Sequence, residues 1–325
     1  LPSVSTPAAD AVLLSLGSVN ADFQMRVARW PEVSETLMAS DFVRLSGGKA
    51  ANRAFLAAKF GLPTRLIGMT GDDDLREQAL GALRDAGVDL DCVYATGEQP
   101  TAVSMITVPP DGKKGIVLAA NANRCWSEDS VGEALQAIRG APDGSVLSLD
   151  VEVPPDVARR AIEAAQECGI PVILDPSPAE DAGDLAGKVG YLAPNAGEAK
   201  ALADIDTEAV EGARRAALAL RERGAGTVFV KLGDGGCVLA GDEGVVHVPA
   251  EPVDVVDTTG AGDAFSGALA VAILLGKPVR EAACFAVATA SLAVTGYGSQ
   301  PAYPERADVE ALAGKLLGRL RELRG

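Results

Sequence analysis

Val256-Asp257-Thr258-Thr259-Gly260-Ala261-Gly262-Asp263-Ala264-Phe265-Ser266-Gly267-Ala268-Leu269 is the stretch on which the fold turns. An apolar strand end over 253–256 runs into two threonines and a Gly-Ala-Gly turn, then a carboxylate, then a strongly apolar helix over 264–275. Small residues let the backbone fold tightly enough to aim several N–H groups at one point. The helix adds its own unpaired N–H groups and about half a positive charge at its N-terminus. Together they predict an anion site, and phosphate is the usual anion. Asp263 would repel a phosphate, yet it fits as a base that takes a proton from a hydroxyl while the loop holds the group being transferred. The motif therefore points to phosphoryl transfer to an alcohol. A tight turn with Asp263 as helix N-cap would explain a lone Gly-x-Gly-Asp. The added carboxylate and hydroxyls of Asp257-Thr258-Thr259 favour the functional reading.

Outward from the loop, strand and helix patterns alternate. Apolar runs over 11–16, 65–69, 145–149, 171–174, 191–192 and 227–232 read as strands. Between them lie helical patterns, one from Asp73 or Asp74 with Leu75, Ala79 and Leu83 on a stripe and Gly87 as its stop. Another covers 154–168 with Val157, Ala161 and Ala165 on one face, and a third covers 211–223. Repeated βα units predict an α/β fold, a doubly wound, mainly parallel sheet with helices on both faces. Ligands of such sheets bind beyond the carboxyl ends of the strands, and the loop follows the expected strand 253–256. Short alternating stretches over 22–45 and 100–119 predict a small antiparallel β lid outside the main body, with a turn at Pro109-Pro110-Asp111-Gly112. No linker is long enough to separate two domains, so residues 1–325 are expected to form one.

Composition narrows the function. A net charge of −16 argues against a nucleic-acid partner. Residues 1–10 carry no secretory pattern, and the longest apolar run, 268–275, is too short for a bilayer, so no membrane association and a cytoplasmic location are expected. Cys92, Cys125, Cys168, Cys237 and Cys284 have no paired spacing and read as buried, reduced thiols. The single histidine, His247, leaves almost no room for Ser-His-Asp or His–metal chemistry.

Four further clusters sit where strands end. In Gly17-Ser18-Val19-Asn20-Ala21-Asp22, alternation points Asn20 and Asp22 the same way, which suits vicinal sugar hydroxyls. A polar turn explains them equally well. Ser46-Gly47-Gly48-Lys49-Ala50-Ala51-Asn52 opens a helix with room for a ligand at its glycines; it is not a Walker A loop, because no Ser or Thr follows the lysine. Asn195 and Glu198, three apart in Pro194-Asn195-Ala196-Gly197-Glu198, suit a hydrated Mg²⁺ or a phosphate, and also a helix capping box. Lys231-Leu232-Gly233-Asp234-Gly235-Gly236 reads as a nucleotide-side loop or as a plain hairpin turn.

These clusters, in this order, resemble the PfkB (ribokinase-like) family of carbohydrate kinases over nearly the whole chain after residue 11. Residues 257–263 match its C-terminal signature and 47–52 its N-terminal one. Within the family the chain is most similar to the ribokinases, through Gly17 to Asp22, Thr70-Gly71-Asp72-Asp73, Asn121-Ala122-Asn123 and Gly298-Ser299-Gln300-Pro301. The resemblance implies that Asp263 is the base and that Gly260, Ala261 and Gly262 form the anion hole. It implies a sugar pocket of Asn20, Asp22, Gly48, Lys49, Asn52 and Glu152. Asn195, Glu198, Lys231, Gly233 and Gly236 would serve the Mg²⁺–ATP, with Glu198 reaching the metal through water. Asp257, Thr259, Val294, Tyr297 and Gly298 would hold a K⁺ activator, the last three through carbonyls. The lid would be a homodimer contact. The family departs here at Ala50, where glycine is common, at Ala196 in place of an acidic residue, at Asn121 in place of glycine, and at Lys231 in place of threonine.

The implied activity is ATP-dependent phosphorylation of a sugar hydroxyl, with D-ribose to ribose 5-phosphate foremost. The rivals are a fructokinase, a ketodeoxygluconate kinase, a nucleoside kinase using Phe23, Trp30 or Phe42 as a platform, or a phosphosugar kinase using Arg26, Arg44 or Arg53. From another class stands a sugar-binding regulator that kept the fold and lost catalysis, against which the intact Asp263, glycine loop and Asn195/Glu198 argue.

Overall fold

The computed structural model describes residues 10–323, so residues 1–9 of the stretch read for a secretory signal lie outside the described residues. Its strands in chain order are β1 (Leu13–Leu16), β2 (Asn20–Arg26), β3 (Asp41–Gly47), β4 (Thr64–Gly71), β5 (Asp89–Thr96), β6 (Ala102–Val108) and β7 (Gly115–Ala119). There follow β8 (Val146–Asp150), β9 (Val172–Asp175), β10 (Tyr191–Leu192), β11 (Thr227–Lys231), β12 (Cys237–Gly241), β13 (Gly244–Val248) and β14 (Arg321–Glu322). The helices are α1 (Lys49–Lys59), α2 (Leu75–Asp85), α3 (Glu128–Arg139), α4 (Pro155–Glu167), α5 (Ala179–Ala182), α6 (Ala196–Ala203), α7 (Val210–Glu222), α8 (Ala261–Leu274), α9 (Val279–Ala293) and α10 (Arg306–Leu317).

Ten strands form one sheet in the order β14-β13-β12-β11-β10-β9-β8-β1-β4-β5. From β11 to β5 every pairing is parallel, and β12, β13 and β14 add an antiparallel margin. Successive side chains point to opposite faces, and both faces are covered. Leu14, Leu16, Leu147 and Leu149 pack with Val131, Ile138, Val157 and Ile162 of α3 and α4. Leu13, Val146, Ile173 and Phe229 pack with Phe265, Leu269 and Phe285 of α8 and α9. Burial on both sides explains why these strands read as unbroken apolar runs. α8 lies between α9 and α1 and is buried nearly all round, as its lack of a polar face requires.

A separate four-stranded sheet, β3-β2-β6-β7, is built from the two segments expected to form a lid. Its outer pairs are antiparallel, and its central pair β2–β6 is parallel. On one face alternate Asn20, Asp22, Gln24, Ser104 and Ile106; on the other alternate Phe23, Met25 and Met105.

Two expectations need correction. Residues 253–256 join no sheet; the backbone there binds Val294 O through Val256 N at 2.8 Å. The segment leaves the antiparallel margin and crosses to the lid turn, where no strand edge awaits it. Nor are all five thiols buried: Cys237 and Cys284 are, Cys92 and Cys125 are half-buried, and Cys168 is exposed. Among the described residues no helix is long and apolar enough to cross a membrane.

Candidate active site

Two cavities open on either side of the first turn of α8. The smaller, about 230 Å³, is lined by Asn20, Asp22, Gly48, Lys49, Asn52, Ser104, Ile106, Ile116, Leu118, Glu152, Thr259, Gly260 and Asp263. All six residues expected to bind sugar therefore meet, although they come from β2, from α1 and its N-cap glycine, and from the segment after β8. Gly48 holds α1 in place with φ 92°, and a Cβ there would stand 2.4 Å from Ser18 O. That position belongs to glycine.

The charges in this cavity are arranged asymmetrically. Lys49 pairs with Glu152. Burial works against the Lys49 charge, but Glu152, Asp263 and Asp150 outweigh it and hold the amine above its usual range. Asn20 donates to Ser104 Oγ at 3.2 Å and accepts from Asn123 Nδ2 at 2.8 Å, so its amide is locked. Asp22 is buried, and its Oδ1 has no partner. Burial raises the Asp22 carboxyl to about 7, with Asp263 and Glu152 adding to the rise and Ser104 and Lys49 opposing it. An unpartnered buried carboxylate oxygen facing a cavity is a ready acceptor for hydroxyl donors.

Asp263 accepts from Asn52 Nδ2 at 2.8 Å. Burial raises its pKa, against Lys49 and Asn52, which improves it as a base. It is not the helix N-cap. Gly260 takes that place with φ 74°, where a Cβ would meet Ser299 Cβ at 2.7 Å. Asp263 sits in the first turn beside Ala261 and Gly262, whose N–H groups lie among the four that a helix leaves without internal partners.

The larger cavity, about 740 Å³, is lined by Ala261 and Gly262 on one side and by Asn195, Lys231, Gly233 and Gly236 on the other. The 231–236 segment is the hairpin turn between β11 and β12, and it also lines this cavity. Glu198 does not line this cavity. Its carboxylate accepts from Asn195 N at 2.8 Å while Asn195 Oδ1 accepts from Glu198 N at 2.9 Å, the complete capping box. Burial and then nearby Asp175 raise the Glu198 carboxyl. Lys231 donates to Asp175 Oδ2 at 2.9 Å, and Ser266 of α8 donates to the same oxygen at 2.6 Å. The unusual lysine is thus anchored at the carboxyl ends of β9 and β11.

Below the loop, Asp257 is fully buried. Its Oδ1 accepts from Thr259 N and Thr259 Oγ1 at 2.8 and 2.6 Å, and its Oδ2 from Gly298 N and Gln24 Nε2 at 2.9 and 2.7 Å. Val294 O binds Val256 N, while the Tyr297 hydroxyl reaches away to Asp41 Oδ1 at 3.0 Å. The other departures are accommodated. Asn121 adopts φ 38°, a conformation asparagine tolerates better than most residues, and Ala50 is buried.

Several participants escaped the sequence reading. Ser104 and Gln24 share the inner-face register of the lid, a signal that alternation could have given. Asp175 ends a strand, as the recognised clusters do. Lys114, which lines the larger cavity, sits in a turn without any pattern to mark it.

Two cavities flank one helix N-terminus, and the half-buried carboxylate of Asp263 in the first turn faces the smaller of them, an arrangement that suits a phosphotransferase with an alcohol as acceptor. Residues 10–306 match the family described as pfkB family carbohydrate kinase. The chain is 34% identical over 308 residues to the ribokinase of Arabidopsis thaliana, an alignment covering 91% of this chain and 79% of that protein. It is 31% identical over 291 residues to a deoxyribokinase of Salmonella typhi, covering 89% and 94%. Among solved structures, Arabidopsis thaliana ribokinase complexed with ribose and ATP superposes with a TM-score of 0.79 at 34% identity, covering 95% of this chain and 99% of that one. This chain belongs to the pfkB family of carbohydrate kinases.

Proposed function

We propose that the chain transfers the γ-phosphoryl group of ATP to a pentose hydroxyl, with D-ribose as acceptor at O5 and ribose 5-phosphate as product. The carrying observation is the smaller cavity, where Asn20, Asp22, Lys49, Asn52 and Glu152 surround a space that ends on Asp263. Asn20, Asp22 and Glu152 orient the sugar hydroxyls, and Asp263 takes the proton of the attacking one. The N–H groups of Gly260, Ala261 and Gly262 receive the charge that spreads over the transferred group. The Arabidopsis relative's complex with ribose and ATP supports both ligands.

Rival substrates fit less well. Among the described residues the small cavity has no aromatic lining, and Phe23 and Phe42 stack on each other at 6.0 Å instead of forming a platform for a nucleoside base. Arg26 lies over Tyr297, Arg44 bonds Gln78, and Arg53 is buried against Asp150, so none is offered to a sugar phosphate.

The residues suit two metal ions. A Mg²⁺ would be held mainly by nucleotide oxygens, beside Asn195 on the cavity wall, with Glu198 behind it in the same helix turn reached through water. That ion would neutralise phosphate charge. Asp257 is a buried carboxylate bonded only to neutral donors, and Ser299 Oγ is buried without a partner. A buried charge of this kind suits a nearby K⁺. Met105, Val117 and Phe42 expose an apolar patch on the lid's outer face, which supports a homodimer through the lid; sedimentation should give twice the chain mass.

The reading is tested by ADP release over a panel of ribose, deoxyribose, fructose, ketodeoxygluconate, fructose 6-phosphate and adenosine, with and without K⁺. Turnover of ribose that rises with K⁺ supports it. Turnover of another acceptor alone removes ribose and keeps the kinase.

A pH dependence follows from Asp22. Sugar hydroxyls donate to the ionised carboxylate, so sugar binding favours deprotonation of a group raised to about 7. Below that pH, binding must expel a proton, so affinity climbs with pH and levels off above about 7. Calorimetry in buffers of different ionisation enthalpy should register proton release near pH 6, and Asp22→Asn should abolish it. Equal affinity at pH 5.5 and 8 in the wild-type chain would contradict the assignment.

A further inference from the structure

The turn between β6 and β7 is fastened to the loop that precedes α8. Thr258 donates its N–H and its hydroxyl to Gly112 O at 3.1 and 2.9 Å. Lys114 answers from the lid, its Nζ donating to Thr258 O at 3.0 Å. Gly112 has φ 71°, and a Cβ there would stand 3.2 Å from Val256 O, so the close approach depends on glycine. The half-buried Lys114 is the one lid residue, among the described residues, that lines the larger cavity, and it shares that wall with Ala261 and Gly262.

The other lysine of this cavity, Lys231, is neutralised by Asp175 at 2.9 Å. Lys114 has only a carbonyl for a partner and forms no ion pair among the described residues. A half-buried ammonium held by a neutral acceptor has charge to offer, and it stands beside the helix N-terminus where anionic charge is expected. Burial lowers its pKa, while Asp263 and Asp257 act the other way. Its position also links the two substrates. Ile116 and Leu118, on the same strand-forming segment, line the smaller cavity, so a sugar there touches the element that carries Lys114.

We infer that Lys114 is a lid-borne catalytic residue, its ammonium leaving Thr258 O to bind a non-bridging oxygen of the phosphoryl group in transfer. The inference rests on the kinase reading above. In the step, the acceptor oxygen forms its bond to the γ-phosphorus and its proton passes to Asp263. The bond from that phosphorus to the bridging oxygen breaks, and its electron pair leaves with ADP. Lys114 donates hydrogen bonds and gives up no proton. Because the charge on the non-bridging oxygens is redistributed during transfer, the contact should act on kcat rather than on ground-state affinity.

The test compares wild type, Lys114→Met and Lys114→Arg. Expected for Lys114→Met is a kcat lower by about 10²-fold, the scale set by removal of one preorganised donor. ADP and ribose affinities should stay within about twofold, while trapping of ADP with aluminium fluoride and ribose weakens. Lys114→Arg should recover most of kcat, and all three proteins should melt together. A Lys114→Met kcat within about threefold of wild type overturns the inference, as does a raised ATP KM with kcat unchanged. If the wild-type chain phosphorylates no sugar, the kinase reading falls and this inference with it. A wild type that turns over beside an equally fast Lys114→Met removes this inference alone.

Discussion

Asp263→Asn lowers kcat by about 10²- to 10⁴-fold, the contribution of one positioned base, and leaves the sugar bound. The amide oxygen of the new side chain can still accept from Asn52 Nδ2, as Asp263 does at 2.8 Å. Geometry is thus kept while basicity is lost. Stability should not suffer, because burial already raises the Asp263 pKa and so disfavours its charge. ADP release measures the first effect, ribose calorimetry the second, and thermal melting the third. Turnover near that of the wild type would remove Asp263 from the chemistry. A loss seen only in sugar affinity would make it a binding group.

The largest effect on stability is expected at Arg53, whose guanidinium is fully buried against Asp150 at 2.8 Å. Arg53→Met leaves the Asp150 charge buried without its cation, which costs about 3–5 kcal/mol. Asp150 also accepts from Ser18 N and Glu152 N, so the damage reaches both strand exits that build the sugar cavity. Urea unfolding should show the loss. Arg53→Met/Asp150→Asn should regain part of it, since the amide oxygen still accepts while no charge is buried. The sign with pH follows. Burial raises the Asp150 pKa and Arg53 opposes the rise, so removing Arg53 raises it further above the unfolded value. The folded variant then holds a proton that the unfolded chain has lost, and stability falls as pH rises through that window. Arg53→Met should be closest to wild type under mildly acidic conditions. A variant as stable as wild type at pH 8 would mean that the pair adds nothing.

Local patterns carried most of the architecture. The strand runs, the face of α4 formed by Val157, Ala161 and Ala165, and the turn ending α2 at Gly87 were legible because each depends on residues near in sequence. The failures have the same logic. Residues 253–256 have strand composition, but a strand exists only where a neighbouring edge can pair with it, and none is there. Asn195 and Glu198, by contrast, suited two roles, and the capping box among them was legible because it forms within one helix turn.

Sequence by itself determined the loop at 256–263, its glycines, its carboxylate and the apolar helix behind it, since these act through adjacent backbone N–H groups and one helix dipole. It also placed Asn20 and Asp22 on one face of a strand. Tertiary structure alone decided that Lys49 meets Glu152, that Gln24 reaches Asp257 across 233 positions, and that Lys114 arrives at Thr258 from the lid. Such contacts leave no period or spacing in the chain. They are set by which strand ends the sheet order brings side by side, and that order is fixed by burial over the whole molecule.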